Sequence, residues 1–231
     1  MEREIDLSQI SDGKLYTAGD MVKVGCKDCF GCSGCCRGMG SSIVLDSYDM
    51  YQLEKGLDLD FAQLMTDKIE LNVVEGLIQP NLKMQPKTDA CAFLNQEGRC
   101  SIHNFRPGFC RMFPLGRIYD GEAFRYFLQI HECPYPEKTK VKLKKWLDIP
   151  ELSKYENYIC RWHYFLKEFQ QHLRSLQTAT VQEEAGTDTD EMIKNLNLHF
   201  LNEFYVLPYN HEQDFYEQFD ERLQKFQKDI F

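Results

Sequence analysis

The segment CKDCFGCSGCC, residues 26–36, places five cysteines within eleven residues and constrains the fold of this chain more than any other feature. Its spacing is C-x2-C-x2-C-x2-C-C. Two residues between cysteines let a loop turn back, so that the sulfurs face one centre and amide N–H groups point at the thiolates. The spacing therefore predicts a metal site. Glycines that allow the loop to fold tightly around a small object lie in and beside it: Gly25, Gly31, Gly34, Gly38 and Gly40.

The composition decides how the ten cysteines are interpreted. A net charge of −9 and a pI of about 5.2 argue against a nucleic-acid partner, which would favour a basic face. The charged start, residues 1–6, does not resemble a secretory signal, and no stretch approaches the roughly 20 apolar residues of a membrane span. We therefore expect a cytoplasmic protein with no membrane association. Because a reducing compartment disfavours structural disulfides, the cysteines indicate metal or redox chemistry.

The residue patterns predict an α+β fold in three parts. Residues 1–25 show little periodicity and are interpreted as a lead-in segment. Residues 26–145 are predicted to form a metal-binding domain of short strands and hairpins, and residues 146–231 a helical region packed against it. The predicted elements at the start of the metal-binding domain are a strand over 41–45, a helix over 48–55 capped by Asp46 or Ser47 and stopped by Gly56, a helix over 60–67, and strands near 69–74 and 82–85.

Two hairpins are predicted in the second half of that domain. Two short apolar runs flank residues 95–98, and a turn there would bring Cys91 and Cys100 together. The Asp120-Gly121 pair is typical of a tight hairpin turn, and the alternating apolar residues after it predict a strand with one buried face that ends at Cys133.

The helical region is predicted from two apolar stripes that we interpret as core packing. The first stripe begins at Tyr155, includes Trp162 and ends at Leu176, at the spacing of one long helix. Residues 178–190 are polar and are predicted to form a loop. Two further helices are predicted over 191–204 and 212–228, the second with a stripe that starts at Phe215.

The predicted metal ligands are the cysteines of the motif together with those that follow it: Cys29, Cys32, Cys35, Cys36, Cys91, Cys100, Cys110 and Cys133. Eight thiols suffice for two four-sulfur sites, and one site with several spectators is the alternative. Cys35 and Cys36 are adjacent, so in an extended chain their side chains point to opposite sides and could serve two centres. The role of Cys26 is left open. Cys160, beside the stripe of the long helix, is interpreted as a small buried hydrophobe.

Positively charged side chains near the cysteines are expected to offset the charge of the thiolates. Arg106 and Arg111 are predicted to lie just outside the ligands, whereas Arg37 and Arg117 are predicted to pair with surface carboxylates. His103 is predicted more as a hydrogen-bonded group at a hairpin end than as a metal ligand.

These motifs resemble the YkgJ family of bacterial and archaeal cysteine-cluster proteins, named for CxxCxxCC. The resemblance covers about residues 26–135 and is carried by three stretches: CFGCSGCC at 29–36, CAFL at 91–94, and CSIH followed by RPGFCRMFP over 100–114. It implies a cluster that chelates zinc or iron, is often described as iron–sulfur, and has no assigned reaction in most members. Flagellin lysine N-methylase is a related group with a similar cluster, but this chain is short for that enzyme. Cys26 and His103 depart from the family pattern.

Three functions are compatible with the sequence. The first is an iron–sulfur protein, with [4Fe–4S] as the expected cluster, whose role is redox, sensing or support of protein modification. The second is a structural zinc module that presents helices to a protein partner. The third and weakest is an enzyme like the lysine methylases. No phosphate-binding loop, H-E-x-x-H helix or G-x-S-x-G elbow occurs in the sequence, so whether the chain is an enzyme stays open.

Overall fold

The computed structural model describes residues 6–27, 32–121, 123–183 and 186–231. The fold is α+β, as the sequence predicted. Its strands are β1 (Ser11–Tyr16), β2 (Met21–Gly25), β3 (Ile69–Val74), β4 (Leu77–Leu82), β5 (Leu115–Asp120), β6 (Ala123–Gln129) and β7 (Thr139–Lys142). Its helices are α1 (Leu7–Ile10), α2 (Ser47–Leu57), α3 (Phe61–Asp67), α4 (Gly108–Met112), α5 (Leu143–Leu147), α6 (Leu152–Glu183), α7 (Gly186–Leu201) and α8 (Phe215–Ile230).

The described strands form small antiparallel sheets rather than one layer. One sheet has the order β1-β6-β5, and the pairs β2-β7 and β3-β4 complete the set. The β5-β6 hairpin confirms the Asp-Gly prediction, since Asp120 pairs with Ala123 across a turn in which Gly121 has a φ of 61°. The strand after it ends at Gln129, four residues before the predicted end at Cys133.

Part of the segment interpreted as a lead-in belongs to the folded domain. Strand β1 pairs Tyr16 with Tyr126, and strand β2 pairs Gly25 with Thr139. These partners lie more than a hundred positions away in sequence. The strands are also too short to show a clear local pattern, so they could not be predicted from the sequence.

The β3-β4 hairpin corrects the predicted strand at 82–85. Strand β3 lies where it was predicted, but its partner is Leu77–Leu82 because the chain turns at once. Glu75 and Gly76 both have positive φ angles, 52° and 88°, as a tight two-residue hairpin turn requires. The strand predicted over 41–45 is only an isolated bridge between Val44 and Asn81.

Helices α2 and α3 both begin at aspartates in capping boxes. Asp46 caps α2 and Asp60 caps α3, and each accepts a hydrogen bond from the backbone three residues on. Helix α2 continues through Gly56, so the predicted stop there is wrong. A side chain at Gly56 would meet the ring of Phe105, with its Cβ 2.6 Å from a ring carbon. The helix ends at Asp58 instead, in the left-handed conformation.

The helical region is built on the long helix α6. It extends to Glu183, and α7 begins at Gly186. The predicted loop over 178–190 is therefore wrong for the described residues of that segment. Residues 184–185 lie outside the described residues. Polar residues of that segment have sufficient helix propensity to extend α6. Helix α7 ends in a π turn, Asn202–Val206, and α8 starts after the N-cap Asp214.

The predicted stripes are the core of this region. On α6, Trp162 lies 5.2 Å from the ring of Phe204 and 5.9 Å from that of Phe219. Phe226 of α8 is fully buried, 5.2 Å from the Phe169 ring. The same continuous core includes α2 and Cys91, so the helices and the cysteine-containing segments are packed together. Among the described residues, no helix combines the length and the apolar character that crossing a bilayer would require.

Candidate metal centre

One cavity of about 90 Å³ is lined by eight of the nine described cysteines. All nine are thiols rather than disulfides. The eight that line the cavity are Cys26, Cys32, Cys35, Cys36, Cys91, Cys100, Cys110 and Cys133. The structure therefore brings together seven of the eight predicted ligands, and the eighth, Cys29, lies outside the described residues. That each of them binds metal stays a prediction.

Cys160, the ninth described cysteine, does not line the cavity. It lies on α6, is only 6% exposed, and belongs to the buried apolar residues. This placement agrees with its interpretation as a small hydrophobe and makes it a natural control for the others.

The Cys35-Cys36 end of the motif is joined to the second cysteine group by backbone hydrogen bonds. Residues Gly34–Cys36 form a short 3-10 turn. After it, the Cys91 amide donates to the carbonyl of Cys36 at 2.8 Å, and Gly38 donates to Asp89 at 2.9 Å. These bonds align the two segments as an antiparallel pair, so the positions of Cys36 and Cys91 are set relative to each other.

Cys91 and Cys100 are brought together by the predicted turn, although they do not face each other across strands. Cys100 forms a bridge with Leu94, and Cys91 forms one with Met84. The Asn95 amide donates to the Arg99 carbonyl at 2.9 Å and closes the turn. Both thiols line the cavity, as the sequence predicted for the pair.

Cys110 is positioned by helix α4 and by a buried carboxylate. The amide of Gly108, at the start of α4, donates to Oδ1 of Asp49 at 2.7 Å. Asp49 is 4% exposed and also accepts from the Asp46 amide in the capping box of α2. It therefore ties the Cys110 helix to the core. This role could not be predicted from the sequence, because a helix-capping aspartate is a common feature and does not indicate a distant partner.

Cys26 and Cys133 reach the cavity from two paired strands. Cys26 directly follows β2. Cys133 lies six residues before β7, the strand that pairs with β2. The Gly25–Thr139 pair brings the ends of these strands together, while the ammonium group of Lys138 donates to the Cys133 carbonyl at 2.7 Å. A side chain at Gly25 would collide with Thr139, so the close approach requires glycine.

Gly34, two residues after Cys32, is in tight contact with Pro134. A Cβ on Gly34 would lie 3.1 Å from Cγ of Pro134 and 4.0 Å from the sulfur of Cys32. The motif loop thus packs directly against the residue that follows Cys133. Glycine at position 34 leaves room for both.

The thiols raise one another's pKa. Burial raises the pKa of Cys110 well above its usual value, and the like charges of Cys91 and Cys100 raise it further. Burial likewise raises the pKa of Cys91 and of Cys133, while hydrogen bonds from the amides of Phe93 and Tyr135 favour their thiolates. Two features are expected of a site that a metal cation completes. Amide groups point at the sulfur atoms, and the thiols repel one another in their anionic form.

Arg106 and His103 lie beside the thiols. Both line the cavity, and a guanidinium nitrogen of Arg106 lies 3.1 Å from Nδ1 of the His103 ring and 2.7 Å from its carbonyl oxygen. This hydrogen-bonded arrangement is the one expected for His103 from the sequence. Arg106 stands where its charge can offset the thiolates, as predicted, although its role toward a metal stays a prediction.

Arg111 has a different position. It is 8% exposed, and its guanidinium donates to the carbonyl oxygens of Arg106 at 3.0 Å and Asp148 at 2.8 Å, and to that of Asn104. It thus fixes the loop before Cys110 to the end of α5. Arg117, predicted to pair with surface carboxylates, instead donates to the Tyr155 hydroxyl and lies over the Phe124 ring.

The donor set fits a thiophilic metal centre. Within the described ranges, no three His, Cys, Asp or Glu side chains converge closely enough to hold a single metal ion as they stand. The cavity volume of about 90 Å³ is several times the roughly 10–15 Å³ that one water molecule needs. Thiolates are the ligands that zinc, copper(I) and iron–sulfur clusters prefer.

The comparison with known families agrees with this chemistry. Residues 28–142 match the CxxCxxCC family, described as a "Putative zinc- or iron-chelating domain". The chain belongs to this family. The matched segment begins two residues after Cys26 and contains every other cysteine that lines the cavity. No curated protein and no solved structure matches the chain.

Proposed function

We propose that this protein binds iron–sulfur clusters and uses them in a redox role, as an electron carrier or redox sensor. The observation that supports the proposal is the gathering of eight thiols around one cavity of about 90 Å³. A zinc ion takes four ligands in a closed site, so eight thiols exceed the need of one ion. A [4Fe–4S] cluster also takes four cysteines, but it has a larger core and exchanges electrons.

The exposure of the site favours electron exchange with a protein partner. Cys32, Cys35 and Cys133 are half-buried, and Phe109, which lines the same cavity, is 36% exposed. A cluster held by these thiols would therefore lie close to the protein surface. A partner docked over Phe109 would approach it without any rearrangement of the core.

The charges around the cavity fit a centre whose net charge is negative. Arg99 and Arg106 line it together with the thiols. Their positive charge would offset the thiolates and would stabilise the reduced, more negative state of a cluster. The thiol-rich site also persists best in a reducing compartment, so a cytoplasmic location is part of the proposal.

The test is the iron, zinc and acid-labile sulfide content of protein purified without oxygen. We expect iron and sulfide in equal amounts, a brown absorbing species, and reversible bleaching with dithionite. Cys160→Ser is the matched control because Cys160 is buried outside the cavity, and it should retain the full iron content. Zinc without sulfide would contradict the proposal and would favour a structural zinc module that presents its helices to a partner.

A further inference from the structure

Strand β3 has one edge that no other segment covers in the part of the chain that the structure describes. Its partner β4 follows a two-residue turn, so Val74 and Leu77, which flank that turn, form a hydrogen-bonded pair. Because such pairs alternate with pairs that share no hydrogen bond, Leu71 and Val73 direct their N–H and C=O groups away from β4. Among the described residues, no other segment forms a hydrogen bond with these groups.

The opposite edge of the same hairpin is covered. On β4, the Ile78 amide donates to Oδ1 of Asn197 at 2.9 Å, and the Pro80 carbonyl accepts from the Leu45 amide at 2.9 Å. These are the positions of β4 that the same alternation assigns to its outer edge. The contacts therefore agree with the assignment of the β3 edge, which is the one left open.

The open edge lacks the features that usually protect an edge strand. Its sequence, IELNVV, contains no lysine, proline or glycine, and its pairing with β4 runs without a register shift. The pairings of β1 and β2 each contain such a shift. Val73 is 71% exposed, the largest exposed fraction among the large apolar side chains of the described residues. A regular, apolar, open edge is a template for pairing with another strand.

We propose that this edge pairs antiparallel with the β3 edge of a second copy of the chain, about a two-fold axis at Asn72. In this register, Leu71 of each copy lies opposite Val73 of the other. The residues whose backbone groups are open in the single chain therefore satisfy one another in the pair. The result is a sheet of four strands in the order β4-β3-β3-β4.

The side chains of the strand complement themselves in this register. Leu71 packs against the core on the face that it shares with Val73, so Leu71 of the second copy would cover Val73 where it now meets solvent. Glu70 lies opposite an apolar residue rather than another carboxylate. At each end, Glu75 of one copy comes near Lys68 of the other. This charge complementarity favours a second copy over an unrelated strand.

The pairing is independent of the metal that the cysteines bind. None of the β3 residues, all of which the structure describes, lines the cavity. Because the contact is a single short pair of strands, we expect a dimer in exchange with the monomer rather than an obligate one.

Sedimentation velocity of the full-length protein, kept free of oxygen so that thiols cannot cross-link the chains, measures the dimer over about 1–100 µM. Val73→Pro removes the outward N–H and leaves the β3-β4 hydrogen bonds intact. It should weaken dimerisation at least about tenfold, as should Val73→Lys, which places a charge on the edge. Val73→Thr is the matched control, because threonine keeps the N–H and the strand propensity, and it should dimerise about as strongly as the wild type.

Hydrogen exchange resolved to single residues shows which edge is used. The amides of Leu71 and Val73 should exchange more slowly as the protein concentration rises. The Ile78 amide is already bonded to Asn197 and should exchange at a constant rate. Circular dichroism shows whether each variant is folded, and Val73→Lys decides the test if Val73→Pro does not fold.

Two results would overturn the proposal. One is a wild-type protein that stays monomeric over the whole concentration range, whether or not its edge accepts an extended segment of a different protein. The other is a dimer that persists in folded Val73→Pro or Val73→Lys with no protection of the Leu71 amide, because the two copies would then meet through another surface.

Discussion

Cys91 donates its backbone amide to the carbonyl of Cys36 at 2.8 Å, and this hydrogen bond joins the CxxCxxCC segment to the second group of cysteines. Arg37 and Ala90 extend the same contact as an antiparallel bridge. The thiols of both segments then line one cavity. The centre is thus assembled from distant parts of the chain, and several residues that carry no thiol should control it.

Gly108→Ala should destabilise the protein and weaken metal binding. Gly108 lies two residues before Cys110, and a Cβ at this position would collide with the hydroxyl of Tyr155. Overpacking of this kind costs about 1–3 kcal/mol, although alanine ordinarily favours a helix over glycine. Chemical denaturation and iron retention under a chelator measure the two effects. Gly19→Ala is the control, since its nearest neighbour would be 3.8 Å away, and it should change neither. An equally stable Gly108→Ala would show that α4 shifts freely.

Asp49→Ala should release the Cys110 helix from the core. Two backbone amides, those of Gly108 and Asp46, would lose their acceptor, at a cost of roughly 2–4 kcal/mol for buried donors. Iron should also dissociate faster, because α4 is no longer fixed. Gln63→Ala removes the matching cap residue from α3, where Gln63 is exposed and does not line the cavity. It should cost about 1 kcal/mol or less and leave iron release unchanged. Similar iron release in both variants would argue against a positioning role for Asp49.

Glu54 should make the stability fall as the pH rises from about 4.5 to about 7. Burial, followed by repulsion from Asp60, raises the pKa of Glu54 to about 7. Within this range the folded state retains a proton that the unfolded state releases. The free energy of unfolding therefore falls by roughly 2–4 kcal/mol as the pH rises across the whole range. Below the range the carboxyl is protonated in both states and contributes nothing.

Denaturation of Glu54→Gln at several pH values measures this contribution. The variant should show a smaller loss of stability between pH 4.5 and 7 than the wild type, with the metal content held equal. Glu97→Gln, at an exposed turn position, is the control and should follow the wild type. If Glu54→Gln and wild type lose stability in parallel, the carboxyl is ionised in the folded state and the argument fails.

Phe226→Ala should destabilise the protein by about 3–5 kcal/mol, because it opens a cavity in the aromatic core. The Phe226 ring is fully buried, 5.2 Å from Phe169 and 5.3 Å from Phe204. Phe231→Ala, at the residue that follows α8 and is 55% exposed, should cost far less. Because one core joins α8 to the cysteine-containing segments, thermal unfolding should lower iron retention in the same transition. Separate transitions for the helices and the iron would contradict a shared core.

Much of the local structure could be predicted from the sequence. The β5-β6 hairpin follows from Asp120-Gly121, and α3 from the cap at Asp60, because both signals lie within a few residues of the element they define. The apolar stripe on α6 likewise identified a helix and its buried face. At Gly56 the predicted helix stop was wrong because the chain packs closely against the Phe105 ring there. In the predicted loop over 178–190, polar residues with sufficient helix propensity extend α6 instead.

By itself, the sequence determined that thiols would gather at a metal site, since closely spaced cysteines and glycines specify this over a few residues. It did not determine which thiols meet. The pairing of β2 with β7 brings Cys26 toward Cys133, and Asp49 reaches Gly108 from a different helix. These contacts join residues far apart along the chain, and their free energy depends on the closure of the whole fold. Only the tertiary structure could therefore bring Cys26 to the same cavity as the later cysteines.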